Sequence, residues 1–201
     1  METILLVGPK HSGKTSAGRA LARLWTEKND SAASFIDLDE LVEDRTGKSP
    51  RSLYGEGPEI FRKAEAEALR DIFDQAGGVN RPGLSCGPDG KGGRRIVAAG
   101  GGLADNGEAM DLLKRSVSRS SGRVFTVYIE VAPETAWERI AAAAENGGGL
   151  PPFLKTENPR ETHRRLHQRR GAAYREIADL SVRAGETPEE TAALILKSLE
   201  V

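Results

Sequence analysis

An α/β fold, a five-stranded parallel sheet with helices on both faces in three layers, is the class this sequence predicts. Three observations point there. Short apolar runs alternate with longer stretches of helical periodicity, the pattern of strand–helix–strand crossovers. The first apolar run, Ile4-Leu5-Leu6-Val7, opens directly into a glycine-containing turn and then a helix. At 201 residues the chain has room for one domain with a real core, although 38% hydrophobic and 29% charged residues put it on the polar side.

The strands expected are Thr3 to Val7, Ser34 to Ile36, Arg95 to Ala99, Val124 to Val131 and Leu180 to Arg183, short runs bounded by turn formers. Helices are expected over 14–27, 39–46, 58–75, 106–118, 133–145, 160–178 and 187–199. Pro133 and Pro188 each sit at a helix start, where a missing N–H leaves no intrahelical bond unmade. Two segments break the rhythm. Residues 77–93, GGVNRPGLSCGPDGKGG, carry few apolar side chains and read as a surface insertion rather than a linker. Residues 146–159, NGGGLPPFLKTENP, lie between two late helices and read either as a mobile lid over substrate or as an ordinary connection. Residues 1–201 are therefore read as a single domain.

Composition excludes several classes. A formal net charge of −1 provides no broad basic face for nucleic acid or anionic lipid. The single cysteine, Cys86, cannot close an intramolecular disulfide and reads as an incidental thiol. No apolar run approaches the roughly 18 residues of a membrane span, and Met1 leads straight into a strand rather than a signal peptide. The expectation is a soluble, cytoplasmic protein, a monomer without nucleic-acid or membrane partners.

The turn after the first strand carries chemistry. Gly8-Pro9-Lys10-His11-Ser12-Gly13-Lys14-Thr15 satisfies G-x-x-x-x-G-K-[ST] in full, in a strand–loop–helix setting. Backbone N–H groups at such a helix start converge on an anion, which unpaired amides and the helix dipole both favour. Gly8 and Gly13 allow the turn and the close approach; Lys14 reaches the β- and γ-phosphates; the Thr15 hydroxyl ligates Mg²⁺. His11, Ser12 and Ser16 complete the candidate nucleotide site, and the implied ligand is a nucleoside triphosphate. A second pair of groups, Asp37 and Asp39, stands where the second strand gives way to helix, at the sheet edge where ligands of α/β proteins bind; by itself such a pair reads equally as a helix cap, with Asp39 accepting first-turn N–H bonds.

The P-loop, Ile36-Asp37-Leu38-Asp39-Glu40, Thr46-Gly47-Lys48-Ser49, Phe61-Arg62-Lys63-Ala64-Glu65, Gly100-Gly101-Gly102 and Arg170-Gly171-Ala172-Ala173-Tyr174 stand in the order of the shikimate kinase family, which this chain resembles over nearly its whole length outside 77–93. The resemblance implies a P-loop kinase fold and transfer of the ATP γ-phosphate to the 3-hydroxyl of shikimate, in chorismate and aromatic amino acid biosynthesis. It further implies that Asp37 holds Mg²⁺ beside Thr15, and that Asp39 binds the shikimate hydroxyls and takes the proton of the attacking one. Arg62 and Arg170 would fork onto the shikimate carboxylate, with Glu65 steering Arg62, and the amides of Gly100, Gly101 and Gly102 would approach substrate. Tyr54 and Phe61 would form the apolar wall, though either fits a core equally.

One stretch departs from the family, whose lid carries an arginine before Pro-Leu-Leu. Here Leu150-Pro151-Pro152-Phe153-Leu154 puts proline in that place, and Ala141 to Glu145 holds no basic residue. Lys155, Arg160, Arg164 and Arg165 are the candidate replacements, although 160–170 also reads as a solvated basic helix face. His163 and His167, four apart, lack the carboxylates of a metal motif. Two other functions stay open: a related kinase for another small polyol or hydroxy acid, and a nucleotide-binding protein with reduced or no turnover.

Overall fold

The computed structural model describes residues 3–29, 31–75, 93–118 and 124–199; apart from Gly93, the insertion expected at 77–93, Cys86 included, lies outside them. Strands β1 (Thr3–Val7), β2 (Ala33–Asp37), β3 (Arg94–Ala98), β4 (Val124–Glu130) and β5 (Leu180–Arg183) form one parallel sheet in the order β2-β3-β1-β4-β5. The helices are α1 (Lys14–Lys28), α2 (Leu38–Thr46), α3 (Pro50–Glu56), α4 (Pro58–Gln75), α5 (Gly107–Ser118), α6 (Pro133–Ala143), α7 (Pro159–Ile177) and α8 (Pro188–Leu199).

Alternation along the strands divides the core in two. Ile4 and Leu6 of β1 join Ile96, Val127 and Val182 under α1 and α8, which contribute Leu21, Ala192 and Ile195. Leu5 and Val7, one residue out of phase, join Val97 and Tyr128 on the opposite face, beneath Leu38, Leu69, Leu113 and Tyr174. Each large side chain buried this way contributes roughly 1.5–3 kcal/mol. A sheet covered on both faces explains why its strands read as continuous apolar runs.

Chain order positions the site. From β1 the chain winds outward to β2, returns to β3 beside β1, then crosses to β4 on β1's other flank. The loop after β1 thus sits where the winding reverses, at the carboxyl edge that leaves a crevice open to ligands.

Two elements differ from expectation. Residues 50–56, expected as connection, form α3: Ser49 Oγ accepts from the Ser52 N–H at 3.2 Å, Pro50 fills the first turn, and Gly57 ends it. The helix expected over 133–145 stops at Ala143 and widens into a π-turn at Ala144–Gly148. Gly149 follows at φ 60°, and Pro152–Leu154 makes a single 3₁₀ turn whose Leu154 is fully buried. The segment expected as a lid is therefore anchored onto the body by one apolar side chain.

Candidate active site

Residues 8–13 turn tightly between β1 and α1. A Cβ on Gly8 would stand 2.7 Å from the Ile129 carbonyl oxygen, and Gly13 takes φ 89°, so both positions demand glycine. His11 holds φ 60° without that freedom, and Arg139 Nη1 from α6 donates to its carbonyl at 2.9 Å. The start of α1 has neither a capping side chain nor an acidic residue in its first turn, which leaves its amides to an anion. Lys14 is buried, its ammonium donating to the Gly8 and Pro9 carbonyls at 3.0 and 2.9 Å and to Ser12 Oγ at 3.5 Å. Burial pulls its pKa down to about 8 against the pull of Asp39 and Asp37. Ser12 is buried and Ser16 exposed.

The Thr15 hydroxyl donates to Asp37 Oδ2 at 2.7 Å, joining the start of α1 to the end of β2. The other oxygen of Asp37 accepts from the Asp39 N–H at 3.0 Å and caps α2. The cap expected of Asp39 is thus made by Asp37, because Asp37 is the last residue before the helix and Asp39 already lies in its first turn. Asp39 is the second residue of α2, and its buried Oδ1 has no partner. Burial raises its pKa, as does Asp37, while Lys10 and Lys14 oppose the rise.

Glu65 on α4 is almost fully buried. One oxygen accepts from Asn106 Nδ2 at 2.9 Å; the other, Oε1, has no partner, and burial pushes the carboxyl pKa up to about 7. The two unpartnered oxygens converge on Gly100, where a Cβ would meet Glu65 Oε1 at 2.7 Å and Asp39 Oδ1 at 2.9 Å. Only glycine at that position leaves room for both oxygens.

The two arginines stand in different surroundings. Arg170, buried on α7, donates to Asp105 Oδ2 through Nη2 at 2.7 Å and Nε at 3.1 Å, and to the Gly101 carbonyl at 3.4 Å; its guanidinium lies 5.0 Å from the Phe153 ring. Arg62 is partly exposed and pairs with Glu59 at 2.8 Å. The expected steering of Arg62 by Glu65 takes another form: Asn106 Nδ2 links the Arg62 carbonyl, at 2.7 Å, to Glu65, so no direct bond joins the two side chains. One turn beyond Arg170, the Tyr174 hydroxyl donates to the Gly101 carbonyl at 3.3 Å and accepts from the Ala104 N–H at 3.2 Å, stapling the glycine run.

Asp39, Glu65, Arg62, Asp105, Arg170 and the glycine run line one cavity of about 380 Å³, which Lys14, Thr15 and Asp37 do not line. The lining also takes Lys10 and His11 from the loop after β1, Pro50, Tyr54 and Phe61 from α3 and α4, and Gly149 and Pro151 to Phe153 from the segment after α6. Of the four cations proposed to serve the lid, none lines it. Lys155 and Arg160 are exposed, and Arg164 and Arg165 both bond Glu161, at 2.8 and 2.9 Å. Asp105 and Asn106 escaped sequence reading because their side-chain partners stand 41 to 65 residues away; Asn106 had only the local signal of a helix cap, accepting from the Ala109 N–H. Arg51 also lines the cavity and had no sequence signal.

A phosphate loop at the switch point of a parallel sheet, with a hydroxyl–carboxylate pair at its mouth and an acceptor pocket beside it, defines a P-loop phosphotransferase. Comparison with known proteins narrows the class. The shikimate kinase family model matches residues 10–87 and 90–200. A shikimate kinase of Vibrio parahaemolyticus is 32% identical over 199 residues, covering 98% of this chain and 95% of that protein. The solved shikimate kinase from Acinetobacter baumannii in complex with shikimate aligns with TM-score 0.74 at 25% identity, over 100% of this chain and 93% of that one. The shikimate kinase from Aquifex aeolicus does so with 0.68 at 27%, over 98% and 96%. The chain belongs to the shikimate kinase family, and it is a kinase, a transferase that acts on an alcohol.

Proposed function

We propose that this kinase transfers the γ-phosphoryl group of ATP to the 3-hydroxyl of shikimate, with the residues above in the following roles. The observation that carries the reading is that one cavity is lined by two arginines, Arg62 and Arg170, and by Asp39, whose buried Oδ1 has no partner and which feels the charge of Lys14. A small acid with ring hydroxyls fits that set. Arg170 and Arg62 take its carboxylate, for which a guanidinium offers paired donors. Asp39 and Glu65 take its hydroxyls from beneath, across Gly100.

The γ-phosphate lies against the amides at the start of α1, and Lys14 turns from the Gly8 and Pro9 carbonyls to the β- and γ-oxygens. The shikimate hydroxyl oxygen attacks the γ-phosphorus in line, the bond to the β–γ bridging oxygen breaks, ADP leaves, and the hydroxyl proton passes to Asp39 Oδ1. Most of the rate comes from positioning and from charge already in place.

Thr15 and Asp37 would hold Mg²⁺. Among the described residues no group of three or more His, Cys, Asp or Glu could hold a metal. Two hard oxygens side by side instead suit an ion that keeps its waters and takes its remaining ligands from phosphate. When bound, Mg²⁺ draws charge from the β- and γ-oxygens. We further propose that the chain is one domain, that residues 146–159 close over substrate, and that it acts as a cytoplasmic monomer.

The test is coupled ADP release with MgATP, with and without shikimate. Shikimate-dependent release is the expected result. Faster turnover of another hydroxy acid would transfer the reading to that acceptor, and nucleotide binding without turnover of any acceptor would end it.

A further inference from the structure

The segment after α6 brings no charge to the cavity: Gly149, Pro151, Pro152 and Phe153 are all neutral. A phosphoryl group in transit spreads negative charge over its outer oxygens, and cations around it answer that charge. Lys14 does not line the acceptor cavity, and Arg170 and Arg62 are held by Asp105 and Glu59. Lys10 is placed differently. It fills a position that the phosphate-loop pattern leaves open to any residue, it is exposed, and it lines the cavity together with Asp39 and the glycine run. Its Cα and Cβ stand 2.8 and 3.0 Å from where a Cβ on Gly101 would be, so its side chain leaves the loop against the border of the acceptor pocket. Its ammonium has no hydrogen-bond or ion-pair partner among the described residues. Burial is the first cause of the raised pKa of Asp39 and of the lowered ones of His11 and Lys14. Lys10 opposes the rise at Asp39 more strongly than Lys14 does, and as a like charge it adds to the other two shifts. Its charge therefore reaches the proposed proton acceptor and the loop lysine at once. Two cations that repel each other beside an open cavity are a receptor for an anion between them.

We propose that Lys10 is a catalytic residue of this kinase, a second loop lysine that binds the transferring phosphoryl group from the acceptor side while Lys14 binds it from the nucleotide side. This deepens the function proposed above and rests on it. Lys10 keeps its proton throughout and contributes charge alone, so the bonds made and broken in the transfer are unchanged. A lysine suits the place, because a point charge on a flexible stem can follow the phosphoryl group from donor to acceptor. It also gives the cavity a cation where the neutral residues 149–153 supply none.

The experiment measures steady-state ADP release at saturating MgATP and shikimate for the parent, Lys10→Met and Lys10→Arg. Beside it, equilibrium binding is read for MgADP alone and for MgADP with shikimate and fluoroaluminate, a planar stand-in for the phosphoryl group. Lys10→Met keeps an unbranched stem and removes the charge, and should lower kcat at least about tenfold. Lys10→Arg, which keeps the charge, should recover most of that loss. Lys10→Met should weaken the fluoroaluminate complex by a similar factor and leave MgADP affinity within about twofold of the parent. Neither the selective loss nor the rescue follows from a merely structural role. Unliganded melting midpoints should match the parent, since Lys10 is exposed. A parent active on shikimate beside an equally active Lys10→Met overturns the inference alone. So does a loss that Lys10→Arg does not lift, that tracks a lowered midpoint, or that falls equally on MgADP. A parent inactive on shikimate overturns the underlying function and this inference with it.

Discussion

Arg170 and Arg62 show how surroundings decide what one residue type is worth. Both face the cavity, yet Arg170 is buried against Asp105 while Arg62 pairs with an exposed Glu59. Removing Arg170 leaves a half-buried carboxylate without its principal cation, whereas removing Arg62 leaves one that water can solvate. We therefore expect Arg170→Ala to lose roughly 2–5 kcal/mol of shikimate affinity and Arg62→Ala to fall at the lower end of that range, with MgATP affinity little changed in both. Calorimetric titration with each ligand checks the order; equal losses for shikimate, or a matching loss for MgATP, would sink it. The residues legible in sequence were those whose chemistry is local. Lys14, Thr15 and Asp37 sit in short patterns whose spacing is their geometry. Asp105 is invisible to such reading because its meaning comes from Arg169 and Arg170, brought to it only by the packing of α7. The Arg62–Glu65 spacing misled for the opposite reason: three residues apart permits a bond, but the buried Glu65 turns to Asn106.

Among the elements, α6 and α7 carry a titratable seam. His163 packs against the Trp137 ring at 5.6 Å and against His167 at 5.5 Å, and both histidines are buried. Burial, aided by His167 and Arg170, pushes the His163 pKa down to about 4, and burial lowers that of His167 too. An unfolded histidine takes a proton near pH 6.5, so between 6.5 and about 4 the unfolded chain binds protons that the folded chain refuses. Stability from this seam is thus complete above pH 6.5 and declines as pH falls to about 4, by on the order of 3 kcal/mol for His163. Urea unfolding at pH 7.5 and pH 5 should show the decline, and His163→Phe, which keeps a ring against Trp137, should flatten it. An unchanged pH slope in that variant would place the titration elsewhere. The strands and most helices were legible because both faces of the sheet are covered and the periodicities are long. Helix α3 was not, since seven residues between Pro50 and Gly57 carry too few turns to show a period, and Gly47 to Pro50 reads as a turn.

At the scale of the whole molecule, the site depends on two strand ends meeting. The loop after β1 and the loop after β3 belong to neighbouring strands, and their backbones touch: a Cβ on Gly101 would stand 2.6 Å from the Lys10 nitrogen and 2.8 Å from its Cα. Neither contact is the end of a flexible side chain, so a methyl group there must push the phosphate loop away from the pocket that receives the phosphoryl group. The Gly101 carbonyl is meanwhile held by Tyr174 and Arg170, which prevents its own loop from yielding. Gly102, the next residue, offers a control, since a Cβ there would approach nothing closer than Arg170 Nη2, at 3.7 Å, an ordinary contact. Overpacking of this kind costs about 1–3 kcal/mol, which lowers the melting midpoint of a domain this size by roughly 2–12 °C. Misplacing reacting groups by about 1 Å costs on the order of 10²-fold in rate. We expect Gly101→Ala to show both effects, and Gly102→Ala to keep the parent's midpoint in thermal unfolding without ligands. Should Gly101→Ala match the parent in midpoint and in shikimate-dependent ADP release, the two loops are not held in register by this contact, and alignment of donor and acceptor must come from ligand binding alone.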